Sequence, residues 1–324
     1  MALRIGILGA AKIAPAAVIK PAKDHPDFVV SAVGARDLDR AKTYAATHGI
    51  PHVVKDYEAL VTSPEVDVVY NALPPSGHMR WTIAALEAGK HVLCEKPFAM
   101  NASHVRRMND AAAKSGKTLV EAFHYRHHNV MQRAVAIVKS GELGRPVRVD
   151  AHFSVPIAYR EGELRWTREH GGGALMDLGC YPTHALRSVM LREPSVVSAS
   201  CELDYDVDVT TKAELDFGGV PATLVTSMKP ERFGATLTYQ GEHGTMEIVN
   251  YLAPQMGCRF TVTIDGKTRE EPTAGDPTYV AQLKELGDVL LRGKPQLITA
   301  ADSLGNMSAI DAIYAKAGVD RVFD

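Results

Sequence analysis

The chain has 324 residues, of which 46% are hydrophobic and 23% charged, and its formal net charge at pH 7 is −2. A chain of this length is too long for one ordinary core, so we expect two domains. The near-neutral charge gives no reason to expect nucleic-acid binding, which usually needs a concentrated basic surface. The lack of an apolar run of about 18 residues indicates no membrane-spanning helix.

The first part of the chain alternates short apolar strands with amphipathic helices, a pattern that predicts a parallel sheet covered on both faces. The predicted strands cover residues 4–8, 28–33, 66–71, 91–94 and 118–120. The predicted helices cover residues 37–47, 78–88 and 102–114. Gly89 and Gly116 are natural helix stops, and Asn101 or Ser103 can cap the last of these helices.

After residue 122 the apolar residues recur with period two, which predicts a large open and mostly antiparallel sheet. Its strands are predicted at residues 147–155, 195–204, 210–217, 222–228, 235–240, 245–249 and 260–264. Helices are predicted at residues 130–139, 174–191, 280–291 and 302–317. One face of such a sheet needs a cover, so we expect a homodimer or a higher oligomer through it.

The cysteines predict the cellular compartment. Four cysteines are scattered along the chain without a C-x-x-C pair, and the amino terminus lacks the apolar core of a signal peptide. We therefore expect reduced thiols and a cytoplasmic protein.

A dinucleotide-binding turn is predicted where the first strand becomes a helix, at residues 6–14. The fingerprint needs a tight turn, close approach of the backbone to a pyrophosphate, and close helix–strand packing. These roles fall on Gly9, Ala11 and Ala14, and Lys12 and Ile13 complete the predicted binding turn. The alternative is a tight strand–helix turn without a ligand.

The tip of the second strand bears on the choice between NAD and NADP. Arg36 stands there, and a guanidinium matches the 2′-phosphate of NADP. Arg40, one helical turn later, could add to it, whereas Asp37 is better placed as a helix cap. We expect NADP(H) to be preferred and NAD(H) to remain possible; the alternative for Arg36 is a solvated surface charge.

Two further loops follow strands at the same predicted edge. After residue 71, Leu73 and Pro74 begin a rigid loop that could line the nicotinamide ribose, with His78 at its end, although an ordinary connection would look similar. After residue 94 come Glu95, Lys96 and Pro97. Ligands bind at the carboxyl ends of parallel strands, so Lys96 can act there as a proton donor.

A second group of candidate catalytic residues follows three glycines at 171–173. Asp177, Tyr181 and His184 are spaced four and three apart, which places them on one helical face. Pro182 should disturb this helix, so His184 is either a site residue or a buried structural histidine. His124 and His128 would also share a helical face, but no third ligand is spaced to complete a metal site with them.

Five segments together resemble the glucose–fructose oxidoreductase / inositol dehydrogenase (Gfo/Idh/MocA) family: residues 9–14, 73–78, 88–97, 171–181 and 310–314. The resemblance covers nearly the whole chain, and residues 88–97 are its most specific part. It implies an α/β Rossmann domain at residues 1–122. A substrate-binding and oligomerisation α+β domain at residues 123–324 would follow, whose last helix could pack back on the first domain.

The resemblance also implies a reaction and its residues. The activity would be NAD(P)-dependent oxidation or reduction of a sugar, polyol or related carbonyl compound, nearest the sugar dehydrogenase and dimeric dihydrodiol dehydrogenase branch. Lys96 matches the family's catalytic lysine, and Asp177 with Tyr181 matches the pair that points at the substrate. Residues on the cofactor side would be Glu95, Arg126, Arg165, Trp166 and Tyr279, although a tryptophan is also common in cores.

Two other functions are compatible with such a chain. One is a catalytically silent regulator that senses dinucleotide, and the other is a lyase or hydrolase that uses NAD transiently. Loss of the lysine or of the aspartate and tyrosine would favour the regulator, and all three residues are present. We therefore expect an oxidoreductase acting on a small-molecule sugar, polyol or diol.

Overall fold

The structure, a computed structural model, describes residues 2–320, which divide into two compact units. The first contains the described residues of Met1–His124 together with Tyr279–Leu304. The second contains Tyr125–Thr278 and the described residues of Gly305–Asp324. Each unit has its own sheet, and the two are described separately.

The first unit contains a six-stranded parallel sheet. Its strands are β1 (Leu3–Leu8), β2 (Phe28–Gly34), β3 (His52–Val54), β4 (Val68–Asn71), β5 (His91–Cys94) and β6 (Leu119–Glu121). They lie in the order β3-β2-β1-β4-β5-β6, which is the Rossmann order and confirms the predicted fold. The order reverses between β1 and β4, so the loops after these strands flank the switch point where such sheets bind ligands.

Helices cover this sheet, and their ends follow from local sequence. They are α1 (Lys20–Lys23), α2 (Leu38–His48), α3 (Tyr57–Val61), α4 (Pro75–Glu87) and α5 (Ala102–Ser115). Asp37 caps α2 by accepting from the amides of Asp39 and Arg40, and Asn101, rather than Ser103, caps α5. Gly116 ends α5 in the left-handed conformation.

The second unit contains an eight-stranded sheet. Its strands are β7 (Pro146–Ser154), β8 (Ser195–Asp204), β9 (Val207–Asp216), β10 (Pro221–Ser227), β11 (Gly234–Gly241), β12 (Gly244–Val249), β13 (Arg259–Ile264) and β14 (Lys267–Glu270). Their order is β14-β13-β12-β11-β7-β10-β9-β8, and every pair is antiparallel except β7 with β10. This confirms the predicted open, mostly antiparallel sheet.

Four longer helices complete the chain: α6 (Asn129–Ser140), α7 (Cys180–Met190), α8 (Thr278–Arg292) and α9 (Ala300–Lys316). Helix α7 packs on β7, β10 and β11, where Val149, Leu224 and Leu237 are buried. The opposite face of the same strands is polar and rich in threonine. In the first unit, Leu283 and Leu286 of α8 join the core formed by β1, β4 and β5.

Within residues 2–320, no helix is both long and apolar enough to span a membrane. The same residues contain all four cysteines, and each is a free thiol.

Candidate active site

The glycine turn after β1 has the geometry that a dinucleotide requires. Gly9 has a φ of +87°, which favours glycine, and a Cβ there would lie 3.2 Å from Cδ2 of Leu73. The carbonyls of Ala10 and Ala11 accept hydrogen bonds from Arg40 Nη2 (2.9 Å) and the Tyr44 hydroxyl (3.0 Å). The turn is therefore held by α2, and its backbone at Gly9 presents no side chain to an approaching phosphate. Its residues fit the pyrophosphate of a dinucleotide.

Two arginines stand beside this turn. Arg36 follows β2, is exposed, and immediately precedes the capping residue Asp37. Arg40 lies on α2 with one guanidinium nitrogen on the Ala10 carbonyl, so Arg40 has a structural bond that Arg36 lacks among the hydrogen bonds of the described residues. Lys12 and Ile13 lie in the turn itself, before the helical residues begin. The structure thus brings these predicted cofactor residues to one end of the sheet.

Hydrogen bonds of buried polar groups hold the loop after β4 in place. The Asn71 amide donates to the His78 carbonyl (3.2 Å) and to the Thr82 hydroxyl (3.1 Å). The His78 ring is fully buried, with Nε2 2.7 Å from the Leu73 carbonyl and Nδ1 3.1 Å from that of Pro97. Burial lowers the pKa of His78 to about 4, so the ring is neutral. His78 therefore connects the Leu73–Pro74 loop with the turn after β5.

Lys96 follows β5 at the same edge and rests on a buried polar pair. The Tyr70 hydroxyl donates to Oε1 of Glu95 at 2.6 Å, and both side chains are buried. The backbone amide of Lys96 donates to Oε2 of the same carboxylate (3.2 Å), and the Lys96–Pro97 peptide is cis. Burial and the nearby carboxylate raise the pKa of Tyr70 well above its ordinary value. Glu95 thus contacts the backbone of Lys96, and Tyr70 is a residue that sequence reasoning missed.

Tyr279 also belongs to the first unit. Its ring lies 4.2 Å from that of His124 between centroids, and it packs against the core of β1, β4 and β5. Burial raises the pKa of its hydroxyl.

In the second unit the glycine run is tightly packed. A Cβ on Gly172 would come within 2.8 Å of the carbonyl oxygens of Arg165, Leu164 and Thr167, and Gly173 has a φ of +114°. Arg165 Nε donates to Oδ2 of Asp177 at 2.6 Å. The Asp177 carboxylate in turn raises the pKa of Arg165. The glycines therefore let residues 164–167 approach the start of the helix that carries Asp177.

The helix carrying the predicted catalytic residues is widened rather than broken. Residues Leu175–Gly179 form a π-helical segment that continues directly into α7, and Pro182 lies in the first turn of α7. Proline lacks the N–H for a regular bond and its ring crowds the carbonyl four residues earlier, so a wider turn before it relieves both defects. The expected disturbance is thus a π turn. Asp177 lies inside this turn.

Tyr181 and His184 share one neighbour, Tyr125. The Tyr125 hydroxyl lies 2.6 Å from Nδ1 of His184, and its ring lies 5.7 Å from that of Tyr181, edge to face. Tyr125 and His184 are fully buried, and Tyr181 is 7% exposed. Phe153 of β7 contacts Tyr181 from another side. This burial agrees with the structural alternative for His184, and Tyr125 and Phe153 are additional residues that sequence reasoning did not single out.

The remaining predicted residues lie elsewhere in the second unit. Trp166 is buried in an apolar cluster with Leu178, Val209 and Met228, which agrees with the alternative that it is a core residue. Arg126 is half-buried in the short 3₁₀ turn His124–His127. His128 caps α6 through Nδ1. In the described part of the chain, no three His, Cys, Asp or Glu side chains are arranged to hold a metal ion.

Comparison with known protein families identifies both halves of the chain. Residues 3–123 match the family described as "Oxidoreductase family, NAD-binding Rossmann fold", and residues 131–247 match the "GFO/IDH/MocA C-terminal domain". D-xylose 1-dehydrogenase (NADP(+)) 2 of Haloferax volcanii is 32% identical over 320 residues, which cover 97% of each chain. Trans-1,2-dihydrobenzene-1,2-diol dehydrogenase of Xenopus laevis is 33% identical, over 82% of this chain and 80% of that one.

Solved structures agree with this assignment. KijD10, a 3-ketoreductase from Actinomadura kijaniata in complex with NADP and TDP-benzene, has a TM-score of 0.90 and 27% identity, over 98% of both chains. Variants of KijD10 with a tyrosine changed to phenylalanine or a lysine changed to alanine have been crystallised in the same complex. The chain therefore belongs to the GFO/IDH/MocA family of oxidoreductases and has the family's NAD-binding Rossmann domain.

Proposed function

We propose that the protein is an NADP(H)-preferring oxidoreductase that moves hydride between nicotinamide and a hydroxyl-bearing or carbonyl carbon of a sugar, cyclic polyol or dihydrodiol. The observation that carries the proposal is the position of Lys96. It follows β5 at the carboxyl edge of the sheet whose β1 ends in the Gly9 turn. A proton-transferring side chain and a dinucleotide-binding turn thus share one edge.

The chain's own residues handle the proton. When bound, the nicotinamide supplies or accepts the hydride. In reduction, the substrate oxygen takes up one proton, and in oxidation it releases one; we assign this transfer to the Lys96 amine and the Tyr181 hydroxyl. Asp177 would hold a substrate hydroxyl or orient Lys96, and the Arg165 guanidinium pairs with its carboxylate. The KijD10 lysine and tyrosine variants are consistent with these two residue types.

The preference for NADP rests on charge at the tip of β2. Arg36 is exposed there, and no carboxylate occupies that position to bind a ribose hydroxyl. Asp37 is engaged as the cap of α2. A guanidinium at this place pairs with a 2′-phosphate. The NADP named for the Haloferax enzyme and present with KijD10 supports the same preference.

The substrate class follows from the relatives, which act on a pentose, a dihydrodiol and a keto sugar according to their names. We place the protein among enzymes of small polyhydroxylated or diol substrates. We also propose that it is a cytoplasmic homodimer assembled through the polar face of the eight-stranded sheet.

The experiment is a substrate panel followed by absorbance of the reduced cofactor. NADP⁺ and NAD⁺ are each supplied with D-xylose, myo-inositol and trans-1,2-dihydrobenzene-1,2-diol. Net formation of reduced cofactor is expected with at least one substrate and faster with NADP⁺. A protein that binds NADPH but turns over none of them is a regulator, and one that consumes substrate without net reduction is a lyase or hydrolase; either result refutes the proposal.

Lys96→Met tests the assignment of the proton. It should lower kcat at least about 100-fold, the usual contribution of a general acid or base, while NADPH binding stays nearly unchanged. Lys114→Met, at an exposed position on α5, is the matched control and should keep full turnover. Undiminished turnover in Lys96→Met contradicts the mechanism.

A further inference from the structure

Asp208 is a buried carboxylate in the second unit that the proposed reaction does not use. It lies at the start of β9 and is 3% exposed. Its Oδ2 accepts hydrogen bonds from the backbone amide of Leu175 (2.7 Å) and the Thr211 hydroxyl (2.8 Å). Its Oδ1 accepts from the Tyr314 hydroxyl (2.7 Å). A buried charge with this many donors is held in one position.

The bond to Leu175 falls where the helix carrying Asp177 and Tyr181 begins. Amides in the first turn of a helix have no partner within the helix, and a side chain just before the helix usually supplies one. The residues before this helix are Gly171–Gly173 and Ala174. None of them has a side chain that can accept a hydrogen bond from these amides. Asp208 supplies the cap from a distant strand instead. Its negative charge also suits the positive end of the helix.

The glycine run is shaped to this carboxylate. A Cβ on Gly173 would overlap Oδ1 of Asp208, and Gly173 also has a positive φ. Tyr314 is 3% exposed and comes from residues 310–314, which the sequence analysis singled out but the proposed mechanism does not use. The hydroxyl of Tyr314 thus holds Oδ1 of Asp208, while Oδ2 accepts from the helix start.

We propose that Asp208, fixed by Tyr314, is a positioning residue that anchors the start of the helix and thereby sets the reach of Asp177 and Tyr181 toward the substrate. This inference rests on the roles proposed for those two residues. Asp177 lies only two residues beyond the anchored amide, inside the π turn. Movement of the anchor therefore moves the Asp177 carboxylate directly.

The test compares full-length wild type with Tyr314→Phe and Asp208→Asn. Tyr239→Phe is the matched control, because Tyr239 is also a buried tyrosine of this unit, on β11. Amide hydrogen exchange over residues 173–181 should become faster in both test variants and stay unchanged in the control. NADPH binding, measured by fluorescence, should be unchanged in all three variants, because the Gly9 turn belongs to the first unit.

Kinetics with D-xylose and NADP⁺ separate positioning from a purely structural role. A misplaced helix should lower kcat by about 10- to 100-fold, the usual cost of a misplacement near 1 Å. The isotope effect with D-xylose deuterated at C1 should rise as hydride transfer becomes limiting. Loss of folded protein alone would lower the apparent kcat without changing this isotope effect.

Two outcomes would overturn the proposal. Unchanged amide exchange in both variants would show that Asp208 does not anchor the helix start. Faster exchange with an unchanged isotope effect and an unchanged kcat would show that the bond stabilises the helix start but does not position Asp177 and Tyr181. If Asp208→Asn does not fold, Tyr314→Phe still tests the anchor, since it removes a single hydroxyl. If wild type does not oxidise D-xylose, the exchange measurement still decides on the anchor, and only the proposed function is in question.

Discussion

Arg36 and Arg40 lie one helical turn apart but are expected to contribute differently to cofactor choice. Arg40 supports the backbone of the glycine turn, whereas Arg36 is exposed beyond β2. Arg36→Ala should raise the KM for NADP⁺ by about 10- to 100-fold, because a charge-assisted hydrogen bond contributes about 1.5 to 3 kcal/mol. The KM for NAD⁺ should change little, since NAD⁺ lacks the 2′-phosphate. Initial rates at varied cofactor concentration measure both constants.

Arg107→Ala, at an exposed position on α5, serves as the control for loss of one positive charge from the first unit. Equal weakening of NADP⁺ binding in both variants would mean that only net charge matters and would contradict a specific role for Arg36.

His78 predicts a pH dependence of stability. Burial lowers its pKa from the ordinary 6.5 to about 4, so the unfolded chain binds a proton in this window that the folded protein does not. The free energy of unfolding should therefore fall as the pH falls from 6.5 to about 4, by at most about 3 kcal/mol. Above pH 6.5 the neutral His78 ring makes its full contribution to the free energy of unfolding. Urea unfolding at neutral pH and near pH 5 measures the change.

His78→Gln should be less sensitive to acid across this window than wild type, while His52→Gln, at an exposed position, should behave like wild type. The comparison between variants is needed because burial also lowers the pKa values of His91, His128 and His152. An unchanged slope in His78→Gln would show that the ring is protonated in the folded protein.

The sequence predicts the role of a single residue where that role depends on its neighbours in the chain. The cap at Asp37 is confirmed, because a carboxylate before a helix bonds to the nearest free amides. His78 was expected near the cofactor, but its ring nitrogens face backbone carbonyls from two loops. Those partners are set by the packing of distant segments. The partners of Tyr70 and Asp208 are also set by distant segments, so the sequence did not predict the roles of these two residues.

At the scale of elements, both π-helical segments precede a proline. Pro15–Ile19 is followed by Pro21 in α1, and Leu175–Gly179 is followed by Pro182 in α7. The proline stands two residues after the end of the first wide turn and three residues after the end of the second. Proline is tolerated within these helices because the preceding turn leaves room for its ring. A proline inside a helical pattern therefore did not end either helix.

The glycine run before the second π segment predicts a measurable steric cost. Gly173 and Gly257 both have positive φ, but only Gly173 has an atom in the place of a Cβ, whereas Gly257 has open space. Gly257→Ala should lower stability by about 1 kcal/mol, from backbone strain alone. Gly173→Ala should cost about 1 to 3 kcal/mol more, because a methyl group is forced against Asp208. Thermal unfolding of the two variants measures the difference.

Equal loss of stability in Gly173→Ala and Gly257→Ala would mean that the Asp208 side chain can move aside. It would also weaken the case for a fixed anchor at this carboxylate.

The two strands that the sequence did not predict have weak burial patterns. β14 (Lys267–Glu270) is exposed along its whole length, and β3 (His52–Val54) has only three residues at the edge of the sheet. β14 contributes no apolar face, and β3 contributes the partly buried Val53 to the core of the first unit. Most of the longer strands have one or both faces buried, which forces the apolar period that a sequence shows. β8 was predicted although its residues are half-buried or exposed.

In the whole molecule, the change in the spacing of apolar residues near residue 122 corresponds to a difference in burial between the two sheets. The central strands of the first sheet are buried on both faces, whereas strands such as β9 and β11 of the second alternate between a buried and a half-exposed face. Periodicity cannot show which sheet an amphipathic helix covers. Helix α8 illustrates this limit, because Tyr279–Leu304, which include most of this helix, belong to the first unit although they follow the second sheet in the chain.

The polar face of the eight-stranded sheet predicts how the protein assembles. Val225 is an apolar residue of β10 on this face, between His152 of β7 and Lys212 of β9, and it is half-buried in one chain. If two copies associate there, an arginine in its place buries an unpaired charge, which costs about 3 kcal/mol or more and raises the dimer Kd at least about 100-fold.

Val225→Arg should therefore be a monomer by light scattering at concentrations where wild type is a dimer. Leu291→Arg, at an exposed site on α8 in the first unit, is the control and should stay a dimer. A monomeric wild type would refute the assembly, and a Val225→Arg dimer would place the interface on another surface.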